Sequence, residues 1–223
     1  MKSESIFIFE FVSGGGFNQV DIPSSLFCEG FGMLRSIIED FKELDLEILT
    51  LLDYRISYLS NYLKADIIEP VNANDNYVIS FKKLLKKSNF CFIIAPEFSN
   101  ILYNLTKIVK DRKKKLLSVD LEAISIGSSK IKTFDFFRKY SVNTPETFQI
   151  PFKNGLDVDF INQKLSQFNS PIIIKPEDGV GAENIYYFEN SSQIYNFFKE
   201  SEFIIDTNRS YIVQKFIEGR DLS

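Results

Sequence analysis

Short apolar runs alternate with amphipathic segments along the first half of the chain. Such runs predict four buried strands, at residues 5–12, 46–52, 66–68 and 89–95. Around them, apolar residues recur with helical spacing in segments that begin near Ser24 or Ser25, near Val78 and at Ser99. Because strands that alternate with helices form parallel sheets with right-handed crossovers, this half predicts an α/β domain with a mostly parallel sheet.

The pattern changes after about residue 125. Helices are predicted at 129–140 with Ser128 as the cap, at 157–168 and at 191–199, and strands at 171–175, 185–188 and 211–215. Two-layer α+β packing fits this order of elements better than a second parallel sheet. The sequence therefore predicts two domains, one over residues 1–125 and one over residues 126–223.

Glycine, serine and acidic residues follow two of the predicted strands in the first domain. Glu10, Ser13 and Gly14 lie at the end of the first strand, and Glu97 follows the fourth. Ligands of parallel sheets usually bind at the edge where the carboxyl ends of the strands meet. These four residues are therefore candidate substrate contacts, with Glu97 suited to a substrate ammonium group. Ordinary turn chemistry is the alternative interpretation of both loops.

Composition excludes several classes of function. The 223 residues carry a net charge of −4, which argues against nucleic acid as the main partner. Histidine is absent, which excludes Ser-His-Asp and Cys-His relays and His-based metal sites. No apolar run reaches about 18 residues, so no membrane span is expected. Cys28 and Cys91 predict buried thiols in a reducing compartment, and we expect the cytoplasm.

Two lysines and a glycine loop occur in order in the second domain. Lys130 lies in the first turn of a predicted helix, and Lys175 ends a predicted strand. The loop that follows contains Asp178, Gly179 and Gly181. Two ammonium groups can neutralise phosphate oxygens, and a glycine loop can bring backbone N–H groups against them. The order of these residues predicts a site for the phosphates of ATP.

The last predicted strand runs into a segment suited to a nucleoside. Gln214, Lys215, Phe216 and Ile217 offer an apolar wall and a backbone edge to a flat adenine ring. The carboxylate of Asp221 can accept hydrogen bonds from ribose hydroxyls. Each feature alone is also typical of a surface lysine or a turn, but together they predict an ATP-binding site.

The same motifs resemble those of the ATP-grasp superfamily. They are Ser-Lys-x-x-Thr (129–133), Thr-Pro (144–145), Ile-Ile-Lys-Pro (173–176), Asp-Gly-x-Gly (178–181) and Gln-Lys-Phe-Ile-Glu-Gly (214–219). The resemblance implies a Rossmann-like pre-ATP-grasp domain over 1–125 and an incomplete ATP-grasp domain over 126–223. It also implies phosphate contacts from Lys130 and Lys175, an adenine hinge at 214–217 and a ribose contact from Asp221.

The first domain resembles one branch of that superfamily more closely. Phe-Glu-Phe-Val-Ser-Gly-Gly-Gly (9–16), Glu-Gly-x-x-Met-Leu (29–34) and the segment from Ala-Pro-Glu to Thr-Lys (95–107) are similar to the tyramine–L-glutamate ligases. That resemblance implies an ATP-dependent ligase of methanofuran-type cofactor biosynthesis. Phosphorylation of the glutamate γ-carboxylate would then be followed by attack of tyramine or a similar amine.

The chain departs from the ATP-grasp pattern at its end. In that superfamily the Mg²⁺ ligands lie beyond the ribose-binding acid, so we expect them beyond Ser223. Mg²⁺ needs such oxygen ligands together with phosphates. Two alternatives remain: a non-catalytic module that binds a nucleotide or a partner, and a ligase for other amino acids. A homodimer is common in the superfamily, and the sequence leaves the oligomeric state open.

Overall fold

A computed structural model describes residues 4–151, 155–179, 184–200, 206 and 208–219, with the backbone alone at 198–200. The chain divides into two compact units, Met1–Ile124 and Ser125–Ser223. Among the described helices, none is long and apolar enough to cross a membrane.

The first unit is built on a parallel sheet of five strands. The strands are β1 (Ser5–Glu10), β2 (Glu47–Asp53), β3 (Ile67–Val71), β4 (Phe90–Ile94) and β5 (Lys115–Leu116). Their order is β3-β2-β1-β4-β5, and each neighbouring pair is parallel. The order reverses between β1 and β4, which makes that pair the topological switch point where ligands of such sheets bind.

Helices and short helical turns connect these strands. The helices are α1 (Ser24–Lys42), α2 (Tyr77–Lys87), α3 (Ile101–Asp111) and α4 (Leu121–Gly127). A π-helical turn covers Val12–Gly16, and 3-10 turns cover Tyr54–Tyr62 and Phe98–Asn100. The predicted mixed α/β fold class is therefore confirmed in this unit.

Alternation along β1 explains why both faces of the sheet are covered. Phe7 and Phe9 are fully buried in a core shared with α2 and α3. Ile6 and Ile8 are fully buried in a second core on the opposite face, shared with α1. Successive side chains of a strand point to opposite faces, so an uninterrupted apolar strand needs helices on both sides.

The second unit is a four-stranded antiparallel sheet with helices. Its elements are α5 (Lys130–Lys139), β6 (Thr147–Gln149), α6 (Val158–Phe168), β7 (Ile172–Pro176), β8 (Tyr186–Phe188), α7 (Ser191–Glu200) and β9 (Tyr211–Lys215). The strand order is β6-β9-β7-β8. This arrangement confirms the α+β architecture predicted for the second half.

One face of this second sheet packs against α6 and α7, and the opposite face holds the predicted site residues. Ile172 and Ile174 of β7 are buried in the core that α6 and α7 share. Ile173 and Lys175 alternate with them and therefore point to the opposite face. Directly opposed residues share a face, so Gln214 of β9, which pairs with Ile173, lies on that face as well.

Several predicted element ends were wrong. The strand predicted over 5–12 ends at Glu10, because Phe11 already has helical backbone angles (φ −63°, ψ −45°) and leads into the π-helical turn over Val12–Gly16. The residue that caps α5 is Ser129 rather than Ser128, and its hydroxyl accepts the Lys132 N–H. Ser99 does not open α3, because it has a φ of 53° and belongs to a preceding turn.

The other early helix and two short strands also differ from the prediction. Helix α1 begins at Ser24 after Pro23, and no side chain caps it. Strands β5 and β6 were not predicted, because two or three residues carry no readable alternation. Both strands exist because neighbouring strands supply their hydrogen-bond partners, β4 for β5 and β9 for β6.

Candidate functional site

The start of α5 lies directly against the loop that follows β7. The Lys130 N–H donates to the Glu177 carbonyl oxygen at 3.1 Å. The hydroxyl of Ser129, the cap of the helix, donates to the Glu177 carboxylate. These contacts join two motifs 47 residues apart in the sequence. The structure therefore brings the first predicted lysine to the predicted glycine loop.

The Lys130 ammonium group is held by the backbone of that loop. Its Nζ donates to the carbonyl oxygens of Glu177, Asp178 and Gly179 at 3.3, 3.0 and 3.3 Å. Burial lowers the pKa of Lys130, and the positive charge of Lys175 lowers it further. The two predicted phosphate-binding lysines are thus close enough to repel each other, which favours an anion between or beside them.

Lys175 lies on the face of the second sheet opposite the core that α6 and α7 share. It pairs with Ile212 across β7 and β9, and its side chain is half-buried. Burial lowers the pKa of its ammonium group. A partly desolvated ammonium group gains more from contact with a phosphate than a fully solvated surface lysine would.

The described part of the glycine loop is fixed on both sides. The Glu177 N–H donates to the Ser210 carbonyl at 2.8 Å, which ties the loop to the start of β9. Gly179 has a φ of 88°, a conformation that favours glycine. A Cβ at this position would lie 2.7 Å from Nη2 of Arg209. The backbone conformation therefore favours glycine here, and a larger residue would also displace the guanidinium group of Arg209.

Arg209 contacts the same loop, although the sequence did not single it out as a candidate. Its Nε and Nη2 donate to Oδ1 of Asp178 at 3.2 and 2.9 Å. The hydrogen bond to Asp178 raises the pKa of Arg209, although burial opposes it. In the sequence, Arg209 is a cation two residues before the strand predicted at 211–215, a position that could have marked it as a candidate.

The predicted adenine hinge lies at the end of β9. The Gln214 amide donates to the Thr147 hydroxyl at 2.6 Å, so its side chain is fixed within the sheet. The Phe216 N–H donates to the Pro171 carbonyl at 2.9 Å. Lys215 and Ile217 are exposed, Ile217 by 57%. The hinge thus offers exposed apolar surface beside a strand end.

Tyr187 on β8 is a second residue that the sequence analysis missed. It is 44% exposed, and its ring meets the Phe216 ring edge to face with centroids 5.0 Å apart. Tyr187 pairs with Ile173, so it shares the face that holds Lys175. Exposed aromatic surface next to the hinge is suited to a flat base. The predicted contacts Gly181 and Asp221 lie outside the described residues.

In the first unit, Glu10 lies buried inside the turn that follows β1. It is 2% exposed, and its carboxylate accepts the N–H groups of Val12 and Ser13 at 2.9 and 2.6 Å. Burial raises the pKa of Glu10, although these two N–H groups lower it. A Cβ on Gly30 of α1 would lie 2.7 Å from the Glu10 carboxyl carbon, which explains a glycine there.

The carboxylate of Glu10 therefore holds the turn in place and does not face an open cleft. Ser13 is also fully buried, and a side chain at Gly14 would collide with the Phe9 ring. Glu97 is half-buried in the loop after β4, where Ser99 and Asn100 both have a positive φ. These residues follow β1 and β4 at the switch point of the sheet, and their role as substrate contacts stays a prediction.

The carboxylates of the described residues could in principle bind a metal ion. Within the described part of the chain, no group of three His, Cys, Asp or Glu side chains could hold a metal ion. The carboxylates of the phosphate region are used otherwise: Glu177 bonds Ser129, and Asp178 bonds Arg209. The described residues therefore do not fit a magnesium site.

Comparison with known proteins assigns both units. Residues 46–124 match the pre ATP-grasp 3 domain, and residues 127–223 match the ATP-grasp domain. The chain belongs to the ATP-grasp superfamily. The residues that match the ATP-grasp domain include Lys130, Lys175 and the loop between β7 and β8.

Two curated relatives of this ATP-grasp chain are tyramine–L-glutamate ligases. The enzyme of Methanocaldococcus jannaschii is 30% identical over 83% of this chain and 58% of its own length. The enzyme of Methanocaldococcus fervens is 28% identical over 98% of this chain and 60% of its own length. The chain thus spans about three fifths of the length of these two relatives.

Solved structures show the same ATP-grasp architecture. An ATP-grasp superfamily protein of Archaeoglobus fulgidus has a TM-score of 0.65 at 25% identity, over 97% of this chain and 54% of that protein. The biotin carboxylase domain of 2-oxoglutarate carboxylase from Hydrogenobacter thermophilus, solved with MgADP, has a TM-score of 0.67. Its identity is 12%, over 98% of this chain and 45% of that domain, so it supports the fold alone.

Proposed function

We propose that this chain provides the nucleotide-binding part of an ATP-dependent carboxylate–amine ligase. The observation that carries the proposal is the convergence of Lys130, Lys175 and the loop at 177–179 on one side of the second unit. Partly desolvated cations beside a glycine loop are suited to the phosphates of ATP.

Each part of the site has a distinct role in the proposal. Lys130 and Lys175 neutralise phosphate oxygens, and Lys130 exchanges some of its carbonyl contacts for phosphate contacts. The backbone of Gly179 approaches the phosphates, since no side chain obstructs it. Phe216 and Ile217 hold adenine against the strand end, and Asp221 binds ribose.

The proposed reaction activates a carboxylate with ATP. A substrate carboxylate oxygen attacks the γ-phosphorus, ADP leaves, and an acyl phosphate forms. An amine then attacks the acyl carbon, and inorganic phosphate leaves as the amide bond forms. The protein contributes position and charge neutralisation, which account for most of the catalysis in phosphoryl transfer.

The two curated relatives support glutamate and tyramine as the substrates. Both are tyramine–L-glutamate ligases, and they align with 83% and 98% of this chain. In the proposal, the γ-carboxylate of glutamate is phosphorylated and tyramine or a similar amine attacks. Glu97, after β4, is the candidate partner of a substrate ammonium group. This chemistry would serve the biosynthesis of a methanofuran-type cofactor in the cytoplasm.

In the proposed reaction, Mg²⁺ would bind together with the phosphates of ATP. Because the described residues do not fit a magnesium site, no step is assigned to the metal through them.

The test is a turnover assay on the protein purified from its native cells, with ATP, Mg²⁺, glutamate and tyramine. We expect ADP release that depends on both substrates, and a γ-linked amide product identified by mass spectrometry. Hydroxylamine in place of tyramine should trap the acyl phosphate as a hydroxamate. ATP binding without ADP release would contradict the ligase and favour a binding module. Turnover only with other amines or amino acids would replace the proposed substrates.

A further inference from the structure

Arg209 lies beside the proposed phosphate site without belonging to any of its recognised motifs. It precedes β9 by two residues, and its guanidinium group reaches back to the loop after β7. Nη2 also lies 3.4 Å from the Asp178 carbonyl oxygen. A Cβ at Gly179 would lie 2.7 Å from Nη2 of Arg209, so the guanidinium group lies directly against the glycine of the loop.

Three cations therefore surround the loop at 177–179. The charge of Arg209 is among the causes that lower the pKa of Lys130, after burial and the charge of Lys175. Asp178 offsets part of this positive charge, and the Glu177 carboxylate accepts a hydrogen bond from Ser129. Asp206 also lies near Arg209, so three carboxylates accompany the three cations. Net charge alone therefore does not attract an anion here, and the position of the guanidinium group beside the loop matters instead.

We propose that Arg209 is a third phosphate-binding side chain of this site, held by Asp178 until a nucleotide binds. The inference rests on the proposed function, because it concerns the same nucleotide. Arg209 contacts the phosphates in the bound state, and its contact with Asp178 keeps the guanidinium group in place before that.

The geometry of the ion pair favours such an exchange. Both Arg209 N–H groups meet the single oxygen Oδ1, so the pair lacks the two-oxygen fork that makes arginine–carboxylate contacts strong. The side chain of Asp178 is 49% exposed, which weakens the pair through solvent screening. A phosphate with several charged oxygens offers the planar guanidinium group a better partner.

A matched pair of variants separates phosphate binding from a purely structural role. Arg209→Gln and Asp178→Asn both break the same ion pair, but they change the charge in opposite directions. We expect Arg209→Gln to weaken ATP and ADP binding about tenfold or more, and AMP binding much less. Asp178→Asn should instead strengthen ATP binding, by up to about fivefold, because it frees the guanidinium group and removes a negative charge.

The assay is calorimetric titration of the full chain with ATP, ADP and AMP. Thermal unfolding of each variant checks that it is folded. Arg209→Lys keeps the positive charge but loses the planar guanidinium group, so it should lose an intermediate share of the ATP affinity. Equal weakening in Arg209→Gln and Asp178→Asn would overturn the inference, as would an unchanged ATP affinity in Arg209→Gln. A wild-type chain that does not bind ATP would instead overturn the proposed function.

Discussion

Arg55 joins the end of β2 to the segment that follows the glycine turn. Its Nε and Nη2 donate to the two carboxylate oxygens of Asp53 at 2.9 and 2.8 Å. The same guanidinium group donates to the carbonyl oxygens of Phe17 and Val20 at 2.6 and 2.7 Å. The side chain of Asp53 is completely buried, whereas that of Arg55 is 27% exposed.

Replacing Arg55 with alanine should therefore destabilise the first unit strongly. The substitution leaves a fully buried carboxylate with one remaining contact, the backbone N–H of residue 55 at 3.0 Å. Removing one partner of a buried ion pair costs about 3–5 kcal/mol, and the surviving hydrogen bond returns about 1 kcal/mol. We expect a loss of about 2–4 kcal/mol in the free energy of unfolding.

Urea unfolding followed by circular dichroism measures this loss. With a slope of about 2 kcal/mol per molar urea, the midpoint of the first unit should fall by roughly 1–2 M. Arg35→Ala is the matched control, because Arg35 forms an exposed pair with Glu39 and is 52% exposed. The control should cost less than about 0.5 kcal/mol. An Arg55→Ala loss no larger than that of the control would refute the reasoning about the buried pair.

Further predictions concern the second unit. Because burial lowers the pKa of Lys130 and Lys175, ATP affinity should fall as the pH rises through these lowered pKa values. The free energy of unfolding should rise with pH over the same range, because the unfolded chain keeps protons that the folded chain has lost. Nucleotide titration tests the affinity and urea unfolding tests the stability, each measured across alkaline pH. Tyr187→Ala should weaken the binding of AMP and of ATP equally, by about 1 kcal/mol, in nucleotide titrations. The control is Tyr195→Ala, which replaces another exposed tyrosine and should leave both affinities unchanged.

Long apolar strands and the order of the nucleotide motifs were readable from the sequence. The strand at 211–215 was predicted with the bounds that the structure has, because it begins with a short run of strand-forming apolar residues, Tyr211 to Val213. Lys130 and Lys175 were assigned to one site from their order alone. The structure adds that Lys130 is held by three carbonyl oxygens of the loop, which no local pattern encodes.

The residues that were missed depend on pairing between distant segments. Tyr187 faces the site because β8 pairs with β7 in a register that puts it opposite Ile173. Arg209 reaches Asp178 across 31 residues because β9 lies next to β7. Register and strand order follow from tertiary packing, so periodicity along the chain cannot reveal them.

The contacts of Glu10 were also not readable from the sequence, although its proposed role as a substrate contact stays a prediction. An acidic residue at a strand end beside glycines predicts a ligand contact, and its position at the switch point fits that prediction. The structure shows its carboxylate turned inward to bind two backbone N–H groups. The π-helical turn that makes this possible has no recognisable spacing in the sequence.

The most direct test of the central claim is the ATP affinity of the wild-type chain and of Lys175→Ala, measured by calorimetric titration. The control is Lys164→Ala, since Lys164 lies over the Phe148 ring, away from the proposed phosphate contacts. We predict that the wild type and the control bind ATP alike and that Lys175→Ala loses binding, by about a hundredfold or more. Unchanged ATP affinity in a folded Lys175→Ala variant would contradict the assignment of the nucleotide site.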